Sequence, residues 1–567
     1  MNTIPVIITD IDPTAQIAAD ILQIRLSEIE FNESTAPMLL SYQKKESSGF
    51  LLEINGNNIV ISAEKKREFI AATGRLLDLI RRSQDTGENL HDCSLSVLPA
   101  YPIRIHYMPA HFGNSFEVAW PGEMRRYLED LTLAGASGYG DWFDPNDMPD
   151  PYQPEVYCST SMSLWKRKKE FLRIAKSLGL DTMLWVAHNV GFVNQLTNEL
   201  KGIRSHKLRV QGQVLCTSVQ HARNICLQNQ RNLFLDLKAS GIDIDKVCFG
   251  PYDDGGCACD KCQPYYPTFL RMVTEIFTII KDIYPAVKMD ICGWWASEEE
   301  QQQLKEYVNA IAKDRFVSFQ YSATYDVFEI PGDIRGTVGD IPLSTFFHIG
   351  FSHVRSDVYL KTGIHSAPLR IKSVINSFSG VQCLGFHTYN ESFGDHFNAY
   401  LCSRLGYDPD LDIYELSEDY CRMMFQLKGE QLKEMVDVLL AMEFLDGSKA
   451  GNWVTSLEKL ANSVITPKGQ KWAFMHVLLK AELMKLDFEI GNGADWKSKE
   501  DVIPLLPLIL KRIELSEQLW RGVYGLGILR HAFIEDNMMP DWYKTYMCLF
   551  QENTGHIAAG SVMHKNA

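Results

Sequence analysis

The chain has 567 residues, too many for one hydrophobic core, so two or three domains are expected, one of them large enough for a barrel. Hydrophobic residues make up 46%, charged residues 22% and aromatics 11%, ordinary globular values with an aromatic share that suits stacking on sugar rings. Lys plus Arg total 56 against 71 Asp plus Glu, a net charge of -15, and no basic run is interleaved with aromatics, so nucleic acid is excluded as a partner.

The chain opens on an apolar strand, IPVIITDI, followed by a helical stretch from Thr14 to Glu30. GFLLEI, NGNN and IVIS then read as a hairpin around an Asn-Gly turn, leading into the helix EKKREFIAATGRLLDLIRR. Residues 1–98 are thus expected to form a small α/β domain. From Tyr101 the pattern becomes short apolar strands separated by amphipathic helices, the alternation of strands held parallel by helical crossovers. The strands are PIRIHYM, SGYGDWF, TMLWVAHNV, KVCFGPYDD, VKMDICGWW, FVSFQYSA, PLSTFFHIGF and VQCLGFHTYNE. Eight is the number a closed barrel of the triosephosphate isomerase type requires, so 99–400 is expected to be a (β/α)8 TIM barrel. Helices are predicted over Met124–Ala134, Leu164–Leu178 and Phe269–Ile280, whereas TYDVFEIPGDIRGTVGD between the sixth and seventh strands has no helical period. Residues 401–567 read as a mainly helical domain in which Pro504 and Pro507 break one long apolar segment. The fold class is therefore α/β, a barrel between a small α/β domain and a helical one. No basic-then-apolar leader and no run of 18 apolar residues appears, so the chain as written is expected to be soluble and cytoplasmic, without membrane partners. A leader upstream of this sequence and homo-oligomer formation are left open.

Active sites of such barrels lie at the C-terminal strand ends. Reading each end in turn gives His106, Asp141 with Trp142, His188 with Asn189, Asp253 with Asp254, Trp294 with Trp295, Tyr321, His348, and finally His387, Tyr389 and Glu391. Taken singly, a Trp or His is more often a satisfied core group. As a set they supply what pyranose recognition asks for, flat rings for C–H faces and carboxylates or imidazoles for hydroxyls, so an oligosaccharide or glycoconjugate is the expected substrate. No GxxxxGK[ST] loop, strand-linked GxGxxG or HExxH competes. Glycoside cleavage needs an acid for the leaving oxygen and a second group at the anomeric carbon. Asp253-Asp254, leading into Gly255-Gly256, offers two carboxyls that can converge, and their crowding raises one pKa as a general acid requires. A capped Asp-Asp-Gly-Gly turn is the plainer alternative. A carbohydrate-binding barrel without chemistry is a further one, although so many acids serve a binder poorly.

The fourth strand reads GPYDDGG and runs directly into CACDKCQP. This stretch resembles barrel glycosidases of the hexosaminidase and O-GlcNAcase neighbourhood, including bacterial glycosidases with a CxCxxC segment after strand four. The resemblance implies that Asp253 orients a substrate 2-acetamido group and Asp254 is the general acid, the acetamido oxygen being the nucleophile and the outcome retention. The sequence departs from that pattern in having Asp-Asp where the hexosaminidase pair is Asp-Glu. It also has Glu391 in HTYNES, which substrate assistance does not require and which supports a two-carboxylate mechanism on non-acetamido sugars instead.

Thirteen cysteines in a large chain fit reduced thiols better than a disulfide framework. Cys257, Cys259 and Cys262 have the spacing of a loop wrapping one metal, a candidate structural Zn2+ site if a fourth ligand comes from elsewhere; three buried thiols in a tight loop is the alternative. The CxxxCxxC of radical iron–sulfur barrels has different spacing and follows the first strand. No cofactor is expected for catalysis.

Overall fold

A computed structural model describes residues 6–29, 37–46, 48–109, 115–143, 150–152, 158–203, 214–250, 256–293, 298–310, 315–324, 339–350, 365–468, 470–491 and 496–521. The N-terminal strands β1 (Val6–Ile11), β2 (Met38–Lys44), β3 (Phe50–Asn55), β4 (Asn58–Ala63) and β5 (Cys93–Val97) form a sheet of order β1-β2-β4-β3-β5. The β3–β4 hairpin closes with Asn55 opposite Asn58, and Gly56 takes the positive φ of 54° that the two-residue turn demands. The sequence reading missed β2 and β5. In β2 alternate residues are buried against the helix Lys66–Thr86, and β5 is a short, half-buried edge.

The barrel strands are β6 (Ile103–Tyr107), β7 (Gly138–Asp141), β8 (Asp181–Ala187), β9 (Lys246–Gly250), β10 (Lys288–Cys292), β11 (Phe316–Thr324), β12 (Leu343–His348) and β13 (Cys383–Tyr389). They pair in parallel and close in the order β10-β11-β12-β13-β6-β7-β8-β9. All eight expected strands are present, and His106, Asp141, Tyr321, His348, His387 and Tyr389 fall within them, while His188, Asn189 and Glu391 lie just past the ends of β8 and β13. β9 and β13 stand four strands apart whichever way the ring is counted, so they face each other across the lumen. Helices Pro121–Leu133, Cys158–Ser177, Gln220–Ala239, Tyr265–Ile283, Glu298–Ala310 and Pro368–Ser377 fill the crossovers. The expected face Phe269, Val273, Ile276, Phe277 and Ile280 is buried against the strands. The segment without helical period falls almost entirely on 325–338, outside the described residues.

After β13 the helix His396–Tyr407 closes the barrel, running across the expected boundary at 400. Helices Ile413–Phe425, Gly429–Met442, Ala450–Leu460, Lys471–Gly491 and Leu506–Arg521 follow, the last preceded by a 3-10 turn at Ile503–Leu505 where Pro504 breaks the apolar segment. Ionic contacts lock the three parts together. Arg82 of Lys66–Thr86 grips Asp419 of Ile413–Phe425 with two bonds of 2.7 and 2.8 Å, Arg422 reaches back to Asp85 at 2.9 Å, and Arg404 pairs with Asp78. Burial and the neighbouring Asp419 push the Asp78 carboxyl up to about 7. Among the described residues no helix is long and apolar enough to cross a membrane.

Candidate functional site

Which strand residues reach the mouth is decided by the two-residue period of each strand. On β6, Ile103, Ile105 and Tyr107 fill the lumen; on β8, Met183, Trp185 and Ala187 do. Gly138 and Gly140 hold the lumen positions of β7, because side chains from both neighbours occupy that space: a Cβ on Gly140 would lie 2.7 Å from Met183 Cε and 3.2 Å from Tyr107 Cδ2. On β12 the lumen residues include Phe346 and His348, and on β13 His387 and Tyr389.

These choices build an aromatic floor at the mouth. The Tyr107 ring lies 5.7 Å from Trp185, 5.7 Å from Phe346 and 5.8 Å from Tyr389, and Trp185 meets Phe346 edge-on at 5.2 Å. His348 closes the set at 5.2 Å from Phe346 and 5.1 Å from Tyr389. Trp142 belongs to the same cluster. Trp185 lies against the end of β9, where a Cβ on Gly250 would come within 2.1 Å of its ring; only glycine lets the indole cover that strand end. Glu391, two residues past Tyr389, is buried at the end of β13. Its backbone is fixed twice: its N–H donates to Asp395 Oδ2 at 2.6 Å, and its carbonyl accepts from Ser115 N at 3.3 Å. Asp395 Oδ2 also accepts from Ser392 N at 3.0 Å, so one carboxylate caps the turn that presents Glu391.

Beneath the floor the lumen holds a polar group set among Ile103, Ile105 and Met183. Asp290 accepts from Ser318 Oγ at 2.6 Å, and Ser318 contacts Ser344 at 2.6 Å. His387 lies 3.6 Å from Asp290 and 3.1 Å from Met183 Sδ. Burial drives the Asp290 carboxyl up and the His387 imidazole down, so both favour their neutral forms. His387, expected to bind substrate, therefore sits two residues deeper than Tyr389, under the floor.

Four further expected ligands are turned away from the lumen. His106 alternates with Ile105 and Tyr107 and faces the helix His396–Tyr407, where Nε2 contacts Ser403 Oγ at 2.7 Å and Nδ1 contacts Thr388 Oγ1 at 2.8 Å. Burial lowers its pKa to about 3. Asp141 receives the Lys168 ammonium, the Tyr139 hydroxyl at 2.7 Å and the Trp142 N–H at 2.7 Å, all within the strand–helix layer. His188 stacks edge-on to Phe269 at 5.0 Å and beside Tyr265 at 5.8 Å, with burial lowering its pKa to about 3. Tyr321 packs on the helix-side core, while Gln320 beside it lies against Asp290 and Cys248 of the lumen. Asn189 is buried just past β8, its carbonyl accepting from Leu215 N at 2.8 Å. Asp253, Asp254, Trp294 and Trp295 lie outside the described residues; the chain enters the acidic pair from Gly250 and is described again from Gly256. Sequence reasoning missed Tyr107, Trp185 and Phe346, whose signal was strand parity with the apolar lumen residues.

The expected cysteines come together with one that was not expected. The sulfurs of Cys257, Cys259, Cys262 and Cys216 all lie within 4.8 Å of one another, a group that can hold a metal ion.

No family model matches the sequence, and no curated protein does either. Solved structures do match in fold. A family 89 glycoside hydrolase from Clostridium perfringens superposes with a TM-score of 0.60 at 11% identity, over 94% of this chain and 68% of that one. The chain shares its fold with barrel glycoside hydrolases. A GH138 enzyme targeting pectin rhamnogalacturonan II gives 0.57 at 10% identity over 92% and 75% of the two chains, and CpGH84D gives 0.51 at 10% identity over 92% and 90%. These likenesses span the flanking regions as well as the barrel, in keeping with the expected hexosaminidase and O-GlcNAcase neighbourhood.

Proposed function

We propose that the chain is a glycoside hydrolase that cleaves O-glycosidic bonds of N-acetylhexosaminides in an oligosaccharide or glycoconjugate, with retention at the anomeric carbon. The observation that carries this reading is an aromatic floor flanked, on opposite sides of one barrel mouth, by the strand that leads into Asp253-Asp254 and the strand that ends in Glu391. Rings of this kind stack on the apolar faces of a pyranose, which leaves the rim carboxylates to act on the glycosidic oxygen and the anomeric carbon.

Asp254, protonated, donates its proton to the leaving oxygen as that bond breaks. The substrate's acetamido carbonyl oxygen attacks the anomeric carbon, and the Asp253 carboxylate orients the acetamido N–H and offsets the positive charge that builds there. Water then opens the cyclic intermediate, giving its proton to the Asp254 carboxylate, and two inversions amount to retention. The Clostridium perfringens family 89 enzyme has been solved with PUGNAc and, with two glutamates replaced by glutamines, with GlcNAc-alpha-1,4-galactose, which supports the sugar class. On this reading the chemistry asks for no cofactor, and zinc enters only as a structural ion.

The opposition of β9 and β13 favours a second reading, in which Asp254 protonates the leaving group and Glu391 acts as nucleophile or base from across the sugar. A panel of aryl glycosides separates the two. Hydrolysis of aryl 2-acetamido-2-deoxyhexosides, with the matched 2-hydroxy sugars inert, supports substrate assistance. Equal turnover of both, abolished by Glu391→Gln, favours the second reading. Absence of hydrolysis across the panel, together with undiminished sugar binding, leaves a carbohydrate-binding barrel.

A further inference from the structure

We propose that Cys216, Cys257, Cys259 and Cys262 bind one structural Zn2+ ion that ties the loop after β8 to the loop after β9. The sequence motif supplies three sulfurs; the fourth comes from Cys216, 43 residues before Cys259 and just ahead of the helix Gln220–Ala239. Cys216 Sγ lies 3.7 Å from Cys259 Sγ and 3.9 Å from Cys262 Sγ. Four thiolates at about 2.3 Å from a tetrahedral zinc stand about 3.8 Å apart, which the two Cys216 separations match, and all four sulfurs lie within 4.8 Å of one another. A disulfide needs its sulfurs at about 2.05 Å, so two bridges do not account for the cluster.

The surroundings are those of a closed site. Cys216, Cys257 and Cys262 are buried, and Cys259 sits at the rim. Among the described residues no carboxylate or imidazole belongs to the group, which leaves no open position of the kind a catalytic zinc keeps for water. Polar groups are aimed at the sulfurs: Ile203 N–H donates to Cys257 Sγ at 3.2 Å, and Ser218 Oγ lies 3.0 Å from Cys216 Sγ and 3.6 Å from Cys259 Sγ. Backbone bonds close the loop after β8 on itself and join it to the loop after β9. Cys216 N donates to Leu200 O at 2.8 Å, Gly202 N to Val214 O at 2.7 Å, and Ala258 N to Ile203 O at 2.7 Å. Four soft thiolates in a tetrahedron select zinc over hard cations. On binding, each thiol gives its proton to solvent as its sulfur joins the metal, and no electron is transferred.

Cys257 follows Asp254 by three residues, so the ion anchors the far end of the segment that β9 anchors at its near end. This consequence rests on the glycosidase reading, whereas metal binding does not. The test is metal analysis of the full chain purified without chelator, alongside Cys216→Ser and Cys226→Ser. About one equivalent of zinc is expected in the wild type and in Cys226→Ser, whose replaced thiol is buried outside the cluster, and below about a fifth of an equivalent in Cys216→Ser. Exchange of the wild type with Co2+ is expected to give the intense absorption of a tetrahedral tetrathiolate, whether or not Cys216→Ser folds. Less than about half an equivalent of zinc in folded wild type after reconstitution, iron in its place, full retention by Cys216→Ser, or a cobalt spectrum without thiolate charge transfer overturns the proposal. Because metal is counted directly, a chain that binds zinc yet cleaves no glycoside separates failure of the catalytic reading from failure of this one.

Discussion

The β9 and β13 sides of the barrel mouth are built differently. At the end of β13, Glu391 is presented by a turn that hydrogen bonds fix: Asp395 accepts from Glu391 N and Ser392 N, Ser115 Oγ accepts from Phe393 N, and Asn390 Nδ2 bonds Tyr107 O and Thr388 Oγ1. At the end of β9, the chain passes through Asp253-Asp254 and is caught again by the cysteine cluster. Satisfied backbone donors hold this turn through partners within a few residues, on the neighbouring β6, or on the 3-10 turn Ser115–Glu117. The long excursion after β8 is bridged by its own backbone bonds, Leu215 N to Asn189 O and Gly202 N to Val214 O, and a multivalent ion would add a single point joining it to the loop after β9.

The largest effect that separates the two sides is expected from the acids themselves. Asp254→Asn should lower kcat/KM by roughly 10²–10⁴-fold on substrates whose leaving group needs a proton, and far less on activated aryl leaving groups. Full turnover on the poor leaving group would take the acid role away from Asp254. Glu391→Gln should cost less than about ten-fold under substrate assistance, and as much as Asp254→Asn if Glu391 meets the anomeric carbon. Next in size is Asp395→Asn, which replaces a charged acceptor of two backbone N–H groups. It should destabilise the fold by about 1.5–3 kcal/mol in urea titration and reduce turnover, with zinc content unchanged. Loss of zinc from that variant would mean that the two sides are not independently built.

The fold was legible where hydrophobic period and strand chemistry agree: eight apolar runs between amphipathic helices became the eight strands of a closed barrel. The site was legible only in part, because choosing polar residues at strand ends ignores which way each side chain points. His106 and Asp141 follow lumen residues by one position, and that single step carries them into hydroxyl and ammonium contacts on the helix side. Applying the parity of Ile103 and Ile105 would have named Tyr107 instead, and that of Met183 would have named Trp185. Cys216 was not legible at all, since nothing in its local sequence marks it and only the loop bridges around Leu200 and Val214 bring it to the other three sulfurs.

The smallest effect is one of pH, and it contrasts two buried histidines that face away from the lumen. Burial lowers both His106 and His188 to about 3, against about 6.5 in the unfolded chain. Each folded site excludes a proton that the unfolded state accepts, so its stabilising contribution is full above pH 6.5 and is lost as pH falls toward 3, about 2 kcal/mol for each histidine between pH 7 and 5. Replacement should then divide them. His106 serves two hydroxyls, and His106→Leu strands Ser403 and Thr388 partners, costing about 1–3 kcal/mol at pH 7. His188 lies between Tyr265 and Phe269, and its Nδ1 has no hydrogen-bond partner among the described residues. His188→Leu removes a buried polar atom at little cost in shape, so stability at pH 7 should hold or rise while the acid-side slope becomes shallower. Urea midpoints at pH 5 and 7 check both variants: an unchanged slope in His188→Leu would show that its imidazole is not the group held neutral against the β9 side of the barrel.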